Sequence, residues 1–225
     1  MSVAGSGAQA GPALPSAEEV AALFTRSDGS FLCARWGRPM APVVFGTQAE
    51  ALPVIKGALE AVSTLAGRPL AETDPELGAN MMLFFLRDWA EMAQTPGLDG
   101  LIPDLPDLAA RLERAEANQY RIFRFDAEGA IRACFAFVRM DAHMAAVPAE
   151  TLALNQAVQA ILLWSDTAFS GPGGTALART AAGHTVLRPD IATVIRAAYD
   201  PVLPDVSRDP AHALRLAARL TAAAH

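Results

Sequence analysis

An uninterrupted apolar run at residues 80–86 constrains the fold more than any other stretch of this chain. After Asn80 the sequence reads MMLFFL, with no charged and no turn-forming residue. The run has the length of a β-strand. A strand that is apolar on both sides is usually the central strand of a sheet, because other layers cover both of its faces. The run therefore predicts a sheet with a fully buried central strand.

The patterns around this run predict the other strands and one long helix. Residues 31–36 and 42–45 read as two strands, and residues 47–66 as an amphipathic helix. The alternating segments 120–125 and 131–138 flank a turn and predict a β-hairpin. The element order is then β-β-α-β-α-α-β-β-α, followed by helices.

A second long helix is predicted at residues 148–166, PAETLALNQAVQAILLWSD. Pro148 suits the first helical turn, where its missing N–H is not needed. The helix has a wide apolar face, and Asn155 and Gln159 form a narrow amide stripe one turn apart. We therefore expect an α+β fold in which helices 47–66 and 148–166 pack on a mixed, mainly antiparallel sheet. Residues 18–225 would form one domain, preceded by a mobile tail at 1–17.

The polar positions of the second helix match the offsets of a metallopeptidase motif. In zincins, H-E-x-x-H-x-x-G-x-x-H/D places two imidazoles on one Zn²⁺, and the Glu handles the proton of bound water. The corresponding positions here are Asn155, Gln156, Gln159, Leu162 and the pair Ser165–Asp166. Amide oxygens are weak zinc ligands, and an amide at position 156 has no useful pKa for proton transfer. Two interpretations remain. The helix has the spacing of a catalytic zincin helix but not its catalytic residues, or it is an ordinary core helix whose amides are hydrogen-bonded by neighbours.

Four other ionisable residues flank this helix. A carboxylate and an imidazole on each side would make a substitute metal site from Asp141, His143, His184 and Asp190. The alternative is that they are solvated loop residues. The two remaining histidines, His212 and His225, are expected at the surface.

The two cysteines, Cys33 and Cys134, both fall in predicted strands. Buried free thiols are the favoured interpretation, and a disulfide requires that the two strands are neighbours.

Composition excludes several classes of function. The 225 residues are 52% hydrophobic and 19% charged, which is typical of a folded globular chain. The net charge of −6 and the absence of a basic patch argue against nucleic acids and anionic membranes as partners. No apolar run approaches the roughly 20 residues of a transmembrane helix. Residues 1–17 lack the features of a signal peptide.

Two stretches resemble a family of bacterial envelope proteins that is described as a domain of unknown function. LNQAVQAILLWSDTAF is similar to that family's E-E-x-x-Q-x-L-G-L-x-N-D-S region, and the family's tail carries a Tyr-Asp-Pro signature, here Tyr199, Asp200 and Pro201. Gln159, Leu163 and Asp166 also keep the family pattern. The resemblance implies a zincin-like layout and an exported, often lipid-anchored protein. This chain departs from the family at Asn155 and Gln156, where the family has Glu, and at Leu162, where it has Gly.

We therefore expect a non-catalytic, zincin-like envelope protein, without a cofactor, that binds a partner protein or an extended peptide at a sheet edge. One alternative is a divergent metal-dependent hydrolase that uses the four flanking residues, or Gln159 and Asp166. Another is a structural subunit that docks through helix 209–224. The resemblance implies a periplasmic or envelope location, whereas a chain complete as given would be cytoplasmic.

Overall fold

The computed structural model describes residues 14–72, 74, 78–170 and 174–222 of the protein. The helices are α1 (Ala17–Ala22), α2 (Leu52–Leu65), α3 (Glu91–Gln94), α4 (Leu98–Leu101), α5 (Leu105–Arg114), α6 (Ala142–Ala145), α7 (Ala149–Ile161), α8 (Pro189–Ala198) and α9 (His212–Ala222). The strands are β1 (Cys33–Ala34), β2 (Pro42–Phe45), β3 (Met81–Leu86), β4 (Gln119–Phe125), β5 (Ile131–Arg139), β6 (Leu177–Arg179), β7 (Thr185–Leu187) and β8 (Val206–Ser207).

A four-stranded mixed sheet in the order β2-β3-β5-β4 forms the centre of the fold. Strands β2, β3 and β5 run parallel, and β4 returns antiparallel to β5 as the predicted hairpin. Two small antiparallel pairs, β1–β8 and β6–β7, lie outside this sheet. The predicted α+β class with a mixed sheet is confirmed. Antiparallel pairing predominates only when the small pairs are included, since two of the three pairings in the central sheet are parallel.

Strand β3 is the central strand that its apolar run predicted. Met81, Leu83 and Phe85 point into one hydrophobic core, whereas Phe84 and Leu86 point into a second core on the opposite face. Successive side chains of a strand alternate between faces, so a strand that is buried on both faces must be apolar at every position.

The two cores divide the helices between the faces of the sheet. Buried residues of α1, α2, α7, α8 and α9 belong to the first core, and those of α3, α4 and α5 to the second. Helices α2 and α7 pack against each other. The predicted packing of two long helices on the sheet is therefore seen, on one face. The opposite face is covered by three short helices in the connection between β3 and β4.

Helix α7 is shorter than predicted, because it ends at Ile161 and not at residue 166. Leu162 adopts an extended conformation and bridges to Arg35, so the chain leaves the helix to pair beside β1. Buried side chains satisfy the carbonyl groups that this ending leaves free. Three hydrogen bonds do this, from Trp36 Nε1 to Ala160 O at 2.8 Å, from Trp164 Nε1 to Val158 O at 2.7 Å, and from the Tyr199 hydroxyl to Ile161 O at 2.7 Å.

Other predicted boundaries also change. The predicted helix 47–66 begins only at Leu52, and the predicted strand 31–36 is reduced to β1, which pairs with β8 outside the central sheet. Of the predicted 1–17 tail, residues 1–13 lie outside the described residues. Ser16 belongs to the folded part, since its hydroxyl accepts from the Glu19 N–H and caps α1.

Candidate functional site

The amide stripe of α7 faces strand β4, where it surrounds an arginine. Gln156 Oε1 accepts from Arg121 Nη2 at 2.6 Å, and Gln156 Nε2 donates to Gln119 Oε1 at 2.8 Å. Longer contacts join Asn155 Nδ2 to Gln119 Oε1 at 3.4 Å and Arg121 Nη1 to Gln159 Oε1 at 3.5 Å. These five residues form what we call the amide–arginine cluster. Three of them are the amides that the sequence singled out at 155, 156 and 159.

Arg121 is the cation of this cluster and is half-buried as a residue, with its guanidinium turned inward to the amides. It makes no ion pair among the described residues, and its Nε is buried without a hydrogen-bond partner. Burial lowers the pKa of the Arg121 guanidinium to about 10. Amide oxygens, not carboxylates, therefore solvate the charge. The contacts of the three α7 amides agree with the interpretation of amides satisfied by neighbours.

The remaining positions of the metallopeptidase-like spacing lie away from this cluster. Leu162 is buried where α7 ends. The Ser165 N–H donates to Leu23 O at 2.9 Å, and Asp166 accepts from the Ser27 hydroxyl and, at 3.0 Å, from the Ser27 N–H. The Ser27 hydroxyl and N–H together lower the pKa of the Asp166 carboxyl. Ser165 and Asp166 thus anchor the segment after α1, which a helix continuing to 166 would not allow.

The structure does not assemble the proposed substitute metal site. Asp141 caps α6 by accepting from the Met144 N–H at 2.8 Å, and Asp190 pairs with Arg188. His143 and His184 are exposed. Within the described ranges, no group of three or more His, Cys, Asp or Glu side chains is placed to hold a metal ion.

The surface position expected for His212 is wrong. His212 is the first residue of α9 and only 2% exposed, and its Nδ1 is buried without a hydrogen-bond partner. Its helix packs against α1 and α8, so the start of α9 is not a free surface. His225, the other histidine expected at the surface, lies outside the described residues.

Cys33 and Cys134 are both free and buried, on β1 and β5. Burial raises the pKa of each thiol to about 12. At neutral pH both are uncharged and act as small apolar side chains, the interpretation that the sequence favoured.

Strand β4 forms an edge of the central sheet, and half of its backbone groups point away from its neighbour. The Arg139 N–H donates to Asn118 O at 2.8 Å, which sets the alternation of hydrogen bonds along the β4–β5 pair. Residues 120, 122 and 124 therefore direct their backbone groups toward β5. Gln119, Arg121 and Phe123 direct theirs outward, where no described strand pairs with them. We call this set the open edge of β4.

A groove of about 620 Å³ runs beside this strand, between β4 and α5. The apolar surface of Leu108, Ile102 and Ile122 contributes to its lining. The charged lining residues are Asp104, Asp107, Arg111, Arg114 and Arg124. Because β4 follows α5 and runs back along it, the end of α5 lies near the start of β4, where Arg111 Nη2 is 3.4 Å from the Tyr120 hydroxyl.

The charges of this α5–β4 groove are separated along its length. Asp107 lies in the first turn of α5, whereas Arg111 and Arg114 lie in its last turn, beside Tyr120. Both arginines are exposed, and neither forms an ion pair within the part of the chain that is described. The groove therefore has a basic end on a protein whose net charge is −6.

A second cavity, of about 430 Å³, opens at the carboxyl ends of the parallel strands, between the first turns of α2 and α7. Gly46 ends β2 there with a φ of 72°, and a Cβ atom at this position would lie 2.0 Å from Phe85 O. None of the described residues that line this cavity is charged. The α5–β4 groove combines backbone, apolar and charged groups, the kinds of group that line ligand sites, so it is the stronger candidate site.

Comparison with protein-family models, with curated proteins and with solved structures gave no match. The resemblance to the envelope family and the zincin-like layout therefore stay predictions from the residues quoted above. The conclusions about function depend on the geometry of α7, β4 and α5.

Proposed function

We propose that this chain is a non-catalytic binding protein that takes up an extended segment of a partner protein by strand addition to the open edge of β4. The observation that supports the proposal is the outward row of unpaired backbone groups on Gln119, Arg121 and Phe123. An added strand would satisfy these groups with main-chain hydrogen bonds, which provide affinity without requiring a particular sequence.

The other edge of the sheet is a weaker candidate. Strand β2 has four residues and begins with Pro42, which has no N–H to donate. Strand β4 has seven residues, and a register shift between Arg124 and Phe125 interrupts its regular pairing. The straight part of the edge therefore extends from Gln119 to Phe123, enough for a short peptide strand.

The amide–arginine cluster supports a binding role and not a hydrolytic one. On α7, two amides occupy the positions that would hold zinc in a metallopeptidase. Gln159 contacts the cation Arg121, and Asn155 contacts Gln119, which lies beside Arg121. A second cation beside Arg121 would be repelled by the guanidinium. We therefore propose that the cluster fixes β4 on α7 and shapes the edge. The periplasmic or envelope location remains an expectation from the family resemblance.

Amide hydrogen exchange tests the proposal. Immobilised full-length protein would be used to select binders from a displayed library of random linear peptides, and the strongest would be synthesised. We expect the free protein to exchange the N–H groups of Gln119, Arg121 and Phe123 rapidly, because they have no partner. Bound peptide should slow these three, while Tyr120, Ile122 and Arg124 stay protected in both states.

N-methylation of the selected peptide provides the matched control. Two versions of the peptide carry methyl groups on alternate backbone nitrogens, each on one of the two alternating sets. The version methylated on the nitrogens that face β4 should not bind, whereas the other should bind almost as the unmodified peptide does. Binding that protects none of the three outward amides would contradict the proposal. Recovery of no binder would contradict it as well. Stoichiometric Zn²⁺ in purified protein, lost in His143→Ala or His184→Ala, would favour the hydrolase alternative.

A further inference from the structure

We propose that the α5–β4 groove selects extended segments that carry an acidic side chain at the end lying beside Tyr120. The inference deepens the proposed strand addition and rests on it. It identifies the partner as a segment with an acidic residue and, two residues away, an apolar residue on the same side. Either chain direction of the added strand fits this description.

The alternation of a strand determines which side chains enter the groove. Tyr120, Ile122 and Arg124 project to the α5 side of the sheet, whereas Arg121 and Phe123 project to the α7 side. A strand added beside β4 continues the pleat, so every second side chain of the peptide lies on the α5 side. These side chains meet the groove in order from Tyr120 to Arg124.

The basic end of the groove provides the charge that an acidic side chain requires. Arg111 and Arg114 both lie in the last turn of α5 and have no carboxylate partner among the described residues, although Glu113 lies between them in sequence. Glu113 points elsewhere, since its carboxylate pairs with Arg139 at 3.2 Å. A peptide carboxylate beside Tyr120 would therefore gain two guanidinium groups without competing with an existing ion pair.

The middle and far end of the groove require different side chains. Leu108 and Ile122 form an apolar surface next along the groove, which suits an apolar side chain two residues from the acid. At the far end, Arg124 donates to Leu101 O at 3.0 Å, and Asp104 and Asp107 add negative charge. A second acidic side chain there would face two carboxylates as well as Arg124, whereas at the Tyr120 end it faces arginines alone, so one acidic end is favoured over uniform acidity.

Three blocked synthetic peptides test the inference by titration into the full chain. In each peptide, threonines alternate with three residues that face the groove. The first of these three is the variable residue, and the other two are valines. The variable residue is Glu, Gln or Lys, and each peptide is also made with the reversed sequence. At low salt we expect the Glu peptide to bind at least about tenfold more tightly than the Lys peptide, with a difference that shrinks as salt is added.

Arginine variants connect this preference to the groove. Arg111→Gln and Arg114→Gln should each weaken binding of the Glu peptide by about threefold and leave the Gln peptide unchanged. Arg196→Gln changes an exposed arginine on α8, outside the groove, and should leave all three peptides unchanged.

The outcomes distinguish the acidic preference from strand addition to the open edge of β4. Equal binding of the Glu, Gln and Lys peptides, with protection of the Gln119, Arg121 and Phe123 amides, would overturn the acidic preference and leave strand addition standing. Failure of every peptide to protect those amides would overturn both. A preference for Glu that survives Arg111→Gln and Arg114→Gln would place the recognition elsewhere and overturn the inference.

Discussion

At the scale of single residues, the molecule is defined by buried polar groups that are satisfied in unusual ways. Arg121 has a guanidinium held by amide oxygens, and no carboxylate among the described residues pairs with it. Burying a charge costs free energy that hydrogen bonds must offset, so the contacts of Arg121 with Gln156 and Gln159 contribute to keeping β4 and α7 together.

We predict that Arg121 and Gln156 are strongly coupled in stability. Arg121→Met should lower the free energy of unfolding by about 1–3 kcal/mol, because it leaves the buried Gln156 Oε1 without its donor. Gln156→Leu should have a similar cost, since it removes an acceptor from a buried charge. The double variant should be more stable than the sum of the two losses predicts, by about 0.5–3 kcal/mol.

Urea unfolding of the four proteins in this cycle measures the coupling. Arg132→Met is the matched control, because Arg132 lies on the neighbouring strand β5 and has no hydrogen bond or ion pair to another described side chain. Its effect should stay within about 0.5 kcal/mol. Additive losses in the cycle would show that the cluster is not a unit.

At the scale of elements, a network around Tyr199 joins the ends of α7 and α8 to β1. The Tyr199 hydroxyl donates to Ile161 O at 2.7 Å and accepts from the Trp36 N–H at 3.2 Å. Arg35 lies against the Tyr199 ring, donates to Ala198 O at 2.6 Å and pairs with Asp205 at 2.6 Å. Tyr199, which the sequence connected with a family signature, thus has a structural role here.

We predict that Tyr199→Phe lowers the free energy of unfolding by about 2 kcal/mol. The ring would remain, but the buried Ile161 carbonyl and Trp36 N–H would lose their partner. Thermal or urea unfolding measures the loss, and exchange of the Trp36 amide should accelerate.

The chain offers a matched control, because its only other tyrosine also has a hydrogen bond through its hydroxyl. Tyr120 is half-buried, and its hydroxyl only accepts from Arg111 at 3.4 Å. Tyr120→Phe should change stability by less than about 0.5 kcal/mol. Equal effects of the two substitutions would contradict the structural role of Tyr199.

At the scale of the whole molecule, the central sheet separates two cores, and α9 closes the first of them by packing on α1 and α8. Helix α9 therefore connects the two ends of the described chain. No helix among the described residues has the length and apolar character that crossing a membrane requires. His212 makes this closure sensitive to pH, because the ring is buried at the start of α9.

Burial first, and then the charges of Arg215 and Arg35, lower the pKa of His212 in the folded chain, and Asp209 opposes the shift. Below the ordinary pKa of 6.5, the unfolded chain binds a proton that folded His212 does not. The free energy of unfolding should therefore fall as the pH drops from 6.5 toward the lowered pKa of folded His212. Above 6.5 the stability should not depend on this histidine's protonation.

Urea unfolding between about pH 7.5 and about pH 5 tests this prediction with His212→Leu, which removes the titrating ring. The stability of the unmodified protein minus that of the variant should decrease over this range. A constant difference between the unmodified protein and His212→Leu would contradict the assignment.

Local patterns alone determined the class and much of the core of this protein. The run at 80–86 became the central strand, and the hairpin paired as its alternation predicted. These features depend on periodicity, turn residues and burial, which act over a few residues and are visible in the sequence. The amides at 155, 156 and 159 could be recognised as a group for the same reason.

Only the tertiary structure decided what those amides contact and where α7 ends. Arg121 lies more than thirty residues before the amides, and the donors to the end of α7 include Trp36 and Tyr199, which are far away in sequence. The short pairs β1–β8 and β6–β7, the burial of His212 and the open edge of β4 also depend on which segments meet in space. Local preference carries little information about such long-range partners, because a side chain's surroundings are set by the packing of the whole chain.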